Sequence, residues 1–243
     1  MANWYPQNKQ ELEKVLSNYI KKGDLSKKDT PPINGIIVPH AGYQFSGKIA
    51  GKAFSLLKGN PPEKAIILGP SHYQAFSGAR ILQDVETPLG NSEIIENNFK
   101  KINKEHSVKN QIPFLQKINP DIKILPLVIG NLYEEDIKKI SKNILEKIDE
   151  KTLLMVSTDL SHFLSYQEAI KKDKETISAI KKLDSETLKN MEGCACGIFP
   201  LLVLIKICKI KKWKPKLLEY KNSGDIIPET RLQGVVGYCS MYF

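Results

Sequence analysis

Short apolar runs that stop at a proline, a glycine or a polar turn recur along this chain, and stretches with helical spacing separate them. Three runs carry the argument: Gly35-Ile36-Ile37-Val38, Ala65-Ile66-Ile67-Leu68 and Leu153-Leu154-Met155-Val156. Strands of a parallel sheet, buried on both faces, read this way. The pattern predicts an α/β fold: a single domain over residues 1–243, with a largely parallel or mixed central sheet and helices on both faces. Three of the four histidines follow closely on these runs: His40, His72, and His162 together with Asp159. Open α/β sheets bind their ligands just beyond the carboxyl ends of the strands, so one rim is expected to collect these side chains.

The remaining segments fill in the alternation. Helical spacing predicts a helix over Asn8–Lys21, where Leu12, Val15, Leu16 and Tyr19 share a face, and another over Gly47–Leu57 capped by Ser46. Ile81–Val85 reads as a short edge strand, Ser92–Lys101 as a helix and Gln111–Lys117 as a short helix opened by Pro113. Ile122–Ile129 reads as a strand whose Pro126 points to an edge or a bulge. Helices are expected over Glu134–Ile148 and Gln167–Leu183. The almost wholly apolar Gly197–Cys208 predicts a helix sandwiched in the core. Leu217–Tyr220 and Gly234–Tyr242 read as closing strands.

Composition narrows the partners. Hydrophobic residues make up 41% of 243 residues, enough for a real core. The first residues lack an apolar signal core, and Ile198–Ile210 is too short for a bilayer and holds Lys206 and Lys209. A soluble, cytoplasmic protein without a membrane partner is expected. A net charge of +9 invites nucleic acid, yet only Arg80 and Arg231 are arginines. Base and bidentate phosphate contacts favour arginine, so a lysine-coated surface is the expectation and nucleic acid is not the expected partner. Of the cysteines, Cys208 and Cys239 read as small buried hydrophobes, whereas Cys194 and Cys196 lie in a Gly-Cys-Ala-Cys-Gly turn.

His40 follows Pro39 and precedes Ala41-Gly42, and His72 stands in Gly69-Pro70-Ser71-His72. Imidazole is both a good ligand for iron, zinc or copper and the usual general base near neutral pH. Cys196 stands just ahead of the apolar helix, where the helix dipole is expected to lower a thiol pKa. Two histidines and one thiolate suit zinc, copper or ferrous iron. Asp159 and His162, three apart, have two readings: the carboxylate fixes the imidazole tautomer, or Asp159 caps a helix and the backbone satisfies His162. His106, in Glu105-His106-Ser107, precedes a predicted helix rather than following a strand, and reaches the same cleft only through a fold-back.

Taken together, these segments resemble the MEMO family, the B component of the AmmeMemoRadiSam system. The matching pieces are Val38-Pro39-His40-Ala41-Gly42-Tyr43 with Ser46-Gly47, Leu68-Gly69-Pro70-Ser71-His72, and Glu105-His106-Ser107 with Ile112-Pro113-Phe114-Leu115. Ser157-Thr158-Asp159-Leu160-Ser161-His162, Cys196-Gly197, and Ser223-Gly224-Asp225 with Val235-Val236-Gly237-Tyr238 complete the set, in family order. The resemblance implies a fold like that of class III extradiol dioxygenases, which cleave catechol rings with non-haem ferrous iron. It implies metal binding by His40, His72 and Cys196, with Asp159 and His162 as the cleft pair. Those dioxygenases complete two histidines with a carboxylate, so Cys196 departs from their pattern. Lys109 stands where the family pattern carries an acid after His-Ser. The resemblance also implies a pathway link to an AMMECR1-type protein and a radical S-adenosylmethionine enzyme.

The expectation is a metal-binding oxidoreductase. One divalent or redox-active metal, iron first with copper or zinc as alternatives, sits on His40, His72 and Cys196. His162, Asp159 and His106 are its candidate catalytic residues. The other reading is a non-enzymatic protein that binds a small aromatic molecule or peptide, or buffers metal. In it Tyr43, Phe45, Tyr73 and Phe76 supply an apolar cleft wall or merely pack beneath the loops.

Overall fold

The computed structural model describes residues 4–20 and 33–243. Helix α1 (Lys9–Tyr19) is capped by Asn8, whose side chain accepts the Glu11 N–H at 3.1 Å. Strand β1 (Gly35–Val38), helix α2 (Tyr43–Ser55) and strand β2 (Lys64–Pro70) follow, then β3 (Ala79–Leu82) and β4 (Lys100–Ile102). Short helices α3 (His106–Lys109) and α4 (Ile112–Ile118) lead to β5 (Lys123–Ile129), α5 (Glu134–Leu145), β6 (Thr152–Ser157) and β7 (His162–Leu164). Helices α6 (Tyr166–Lys182), α7 (Ser185–Asn190) and α8 (Ile198–Lys211) precede β8 (Lys216–Asn222), α9 (Ser223–Ile226) and β9 (Val235–Tyr242).

The strands form one mixed sheet in the order β4-β3-β5-β2-β6-β1-β9-β7, with β8 also on β9. Its centre, β5-β2-β6-β1, is parallel, and the flanking pairs β3–β5 and β9–β1 are antiparallel. Alternation along each central strand feeds two cores. Ile37, Ile66, Leu68, Leu154 and Val156 face α5–α8, whereas Ile36, Val38, Ala65, Ile67, Leu153 and Met155 face α1, α2 and α4. Helix α8 lies on β2 and β6 beneath α5 and α7, which is why it is apolar all round. No helix of the described residues is long and apolar enough to cross a membrane.

Four local expectations are corrected. The helix expected over Ser92–Lys101 is absent: residues 92–99 are irregular, with Ile95 N–H and Ile124 N–H bonding across to the Ile124 and Glu93 carbonyls, and Lys100 and Lys101 open β4. Helix α2 starts at Tyr43, and Ser46 is inside it, its hydroxyl donating back to the Ala41 carbonyl at 2.8 Å. The strand at Ile81 is not an edge, since β4 covers it. Pro126 sits in an interior strand without a bulge: pairing with β3 stops at Leu127, one residue short of the missing N–H. Lys21 of the first predicted helix lies outside the described residues.

Candidate metal centre

Adjacent parallel strands end on the same rim, and this brings distant residues together. His40 lies two residues past β1, His72 two past β2 and Asp159 two past β6, with β6 paired to both of the others. Cys196 arrives from the opposite direction, immediately before Gly197 and α8, and its N–H donates to the Asp159 carbonyl at 3.3 Å. One donor atom from each of His40, His72 and Cys196 lies within 4.8 Å of the others, and Cys196 Sγ is 3.4 Å from His40 Nε2. Nitrogen and sulfur ligands held at about 2.0–2.3 Å from one ion stand roughly 3.3–4.6 Å apart, so this donor set fits a single metal ion.

The surrounding hydrogen bonds decide which ring nitrogens are free. Ser157 Oγ gives its one proton to the Ser107 carbonyl at 2.6 Å and accepts from Gln111 Nε2 at 2.9 Å. Its 3.1 Å contact with His40 Nδ1 therefore places the imidazole proton on Nδ1 and leaves the Nε2 lone pair facing Cys196. Burial, reinforced by the neighbouring His72 and His106 rings, lowers the His40 pKa to about 4 despite Asp159, so the ring is neutral at pH 7. His72, the most open of the three, has Nδ1 2.9 Å from Glu105 Oε1, and Nε2 is the nitrogen left for an ion.

Glu105 organises the other side of the site. Its side chain is wholly buried, and it accepts the N–H groups of His72 at 2.6 Å and Ser107 at 3.0 Å, capping α3. Burial alone raises its pKa, but the close His106 ring, the His72 ring and the two backbone N–H groups outweigh that and hold it well below the usual range. Gly69 lets α3 come this close, since a Cβ there would lie 2.5 Å from Ser107 Oγ. His106 completes a group of three rings: its centroid is 4.4 Å from His72 and 5.5 Å from His40, and Trp4 stacks on it at 4.1 Å. Its Nδ1 is 3.1 Å from Glu105 without the alignment of a hydrogen bond. His72, Glu105 and His106 thus form a second donor group that shares His72 with the first.

Two expectations about individual groups are corrected here. Cys196 does stand just ahead of α8, but burial, then the Asp159 carboxylate, pushes its thiol well above its ordinary pKa instead of below it. Asp159 does not serve His162. Its Oδ1 accepts the His40 N–H at 2.8 Å and its own N–H points at Cys196 Sγ at 3.3 Å, while His162 Nδ1 lies 2.9 Å from the Leu160 carbonyl. Nor is Asp159 a helix cap, for the chain runs on into β7.

A cavity of about 450 Å³ opens beside this cluster, lined by Trp4, Tyr73, Lys104, His106 and Lys109 among others. Lys109 pairs with Asp84 at its mouth at 2.5 Å. Of the four aromatic residues expected along a cleft wall, Tyr43 is buried and packs on Phe114, Phe76 lies under Arg80, and Tyr73 lines the cavity. A larger hollow of about 750 Å³, between residues 96–100 and α5, holds none of the site residues.

Glu105 and Trp4 join the site without a functional signal of their own in the sequence. The N-cap pattern of a carboxylate before a short helix was visible at Glu105, whereas nothing in the sequence ties Trp4 to His106.

Comparison with known proteins identifies the family. The family profile described as Memo-like protein matches residues 2–242. A MEMO1 family protein of Aquifex aeolicus is 33% identical over 268 residues, covering 100% of this chain and 96% of that protein. Another from Methanobrevibacter smithii is 32% identical over 276 residues, with 99% and 96% covered, and one from Nitrosopumilus maritimus is 31% identical over 268 residues, with 100% and 97% covered. With its whole length matched on both counts, the chain belongs to the Memo-like family.

Proposed function

We propose that this protein is a metal-dependent oxidoreductase of the cytoplasm, similar to class III extradiol dioxygenases, with one divalent metal on His40 Nε2, His72 Nε2 and Cys196 Sγ. Iron is the first choice, with copper or zinc as alternatives. The supporting observation is the convergence of these three donors on one rim from three distant parts of the chain. When bound there, such an ion would supply Lewis acidity and, if redox-active, electron transfer.

The chain's own residues do the rest. Ser157 holds His40 in the tautomer that offers Nε2, and Glu105 does the same for His72. Asp159 fixes the His40 backbone and points its N–H at the sulfur, a bond that partly offsets the burial and carboxylate charge that favour the thiol. His106 is a candidate proton carrier for a bound phenolic or similar group: it lines the cavity, its ring is not locked by an aligned bond at Nδ1, and Glu105 stands ready to balance its charge. His162, at the start of β7 with its Nδ1 on the Leu160 carbonyl, is the second candidate base, and Asp159 is a positioning residue for His40 and Cys196. A link to an AMMECR1-type protein and a radical S-adenosylmethionine enzyme belongs to the same proposal.

The aromatic lining of the 450 Å³ cavity favours a second reading, a non-enzymatic protein that binds a small aromatic molecule or peptide there. Metal uptake under anaerobic conditions separates the two. Wild type is expected to take up a full equivalent of ferrous iron and Cys196→Ala far less; a wild type that stays essentially metal-free refutes the metal centre.

A further inference from the structure

The buried face of α6 is apolar or small except at one position. Ala169, Thr176, Ile177 and Ile180 flank Asp173, which is fully buried. A carboxylate taken out of water is costly unless its lone pairs are used. Those of Asp173 are: Oδ1 accepts the Ser161 backbone N–H at 2.9 Å and Oδ2 accepts the Tyr220 hydroxyl at 2.8 Å. The fit around it is tight, since a Cβ on Gly237 would lie 2.0 Å from Asp173 Oδ2. None of these groups touches the donor cluster, and the proposed chemistry does not use them.

What Asp173 holds is the loop between β6 and β7. Residues 158–161 are all buried, and each is tied down separately. Thr158 N–H bonds to the Val38 carbonyl, Leu160 N–H to the Gly237 carbonyl, and Ser161 returns by accepting the Gly237 N–H. At the far end of this loop Asp159 meets the His40 N–H and Cys196 Sγ, and Thr158 Oγ1 accepts the Gly197 N–H at 2.9 Å. The Ser161 N–H is anchored by a carboxylate from α6, whereas the Asp159 N–H meets the Cys196 sulfur and those of Thr158 and Leu160 meet backbone carbonyls. The contacts run without a break from Asp173, through two residues of loop backbone, to both His40 and Cys196.

We infer that Asp173 is a positioning residue for the metal centre: its carboxylate fixes the 158–161 loop, and through Asp159 that loop sets the spacing of His40 and Cys196. The inference rests on the proposed metal site. Tyr220 supports Asp173 from β8 and Gly237 supplies the room, so a carboxylate, a tyrosine and a glycine from three elements form one clamp beneath the rim.

The test compares full-length variants by zinc affinity and by amide hydrogen exchange at Leu160 and Ser161. Asp173→Ala is expected to weaken zinc about tenfold, the lower end of what substitutions behind the ligands cost, and to speed exchange at both amides. Asp173→Asn is expected to recover most of the affinity, because its Oδ1 still accepts the Ser161 N–H. Ile144→Val, a core change in α5 that also lowers stability, is expected to leave both readouts alone. A folded Asp173→Ala protein with wild-type zinc affinity and wild-type protection at Ser161 overturns the inference. Should Asp173→Ala fail to fold, Asp173→Asn decides: replacing a charged acceptor by a neutral one must speed Ser161 exchange, and unchanged exchange overturns the inference. If wild type binds no zinc, the metal-site reading falls, and exchange at Ser161 still shows whether Asp173 holds the loop.

Discussion

Replacing Glu105 by glutamine keeps the shape of the side chain and removes its charge, which isolates what that charge does. In the native protein the carboxylate accepts two backbone N–H groups and the His72 ring N–H, at 2.6–3.0 Å, with no exposed surface. A bond to a charged acceptor contributes about 1.5–3 kcal/mol and a neutral one about 0.5–1.5, so three downgraded bonds cost about 3 kcal/mol. Glutamine also turns one acceptor into a donor, setting it against either the His72 N–H or the Ser107 N–H. With a urea dependence of about 3 kcal/mol/M, the chelated variant is expected to unfold about 1 M earlier than wild type at pH 7. The pH dependence gives a second, sharper reading. The Glu105 pKa is depressed in the folded state, so its contribution is present above the unfolded value of 4.5 and is lost as pH falls through the folded value. Wild type is therefore expected to lose more stability than Glu105→Gln on acidification below pH 4.5. With His72 no longer fixed by a carboxylate, metal affinity is expected to fall about 10- to 100-fold. A variant within about 0.5 kcal/mol of wild type, with equal acid sensitivity and equal metal affinity, refutes the role given to Glu105.

Metal binding itself is expected to depend on pH through Cys196. Its thiol is raised by burial while His40 is already neutral, so loading releases the Cys196 proton and affinity climbs at least about tenfold per pH unit between pH 7 and 8, measured by competition with a chelator; a flat profile contradicts this. In the metal-free protein His40, lowered from 6.5 to about 4, lets the unfolded chain take up a proton first, so stability is expected to fall as pH drops across that window, and His40→Gln to flatten the urea-midpoint profile there. Gly237→Ala is expected to destabilise by about 1–3 kcal/mol through overpacking on Asp173, read by thermal unfolding; a neutral effect means that the clamp is looser than its 2.0 Å approach implies.

The features easiest to read from sequence were those set by burial on both sides of a sheet. Ile36–Val38, Ala65–Leu68 and Leu153–Val156 have no polar face, which places His40, His72 and Asp159 just past strand ends, and the structure adds that those strands are neighbours. Residues 92–99 misled because Ile94, Ile95 and Phe99 match helical spacing, yet the backbone of this stretch pairs with Ile124 from a distant strand. The sequence offers Asp159 either the nearby His162 or a helix cap, whereas the fold gives it to His40, 119 residues away. Cys196 shows the same limit: proximity to a helix start suggested a lowered pKa, and the packing that raises it comes from the tertiary structure. Glu105 belongs to the middle ground, its capping role written locally and its hold on His72 supplied only when α3 docks beside β2.

Crystals grown anaerobically with ferrous iron, with anomalous data collected at the iron, copper and zinc edges, address the donor set most directly. One ion is expected at full occupancy, about 2.0–2.3 Å from His40 Nε2, His72 Nε2 and Cys196 Sγ, with Glu105 behind His72 and outside direct contact. An ion bound elsewhere, or one that leaves Cys196 uncoordinated while His40 and His72 bind it, contradicts the assignment.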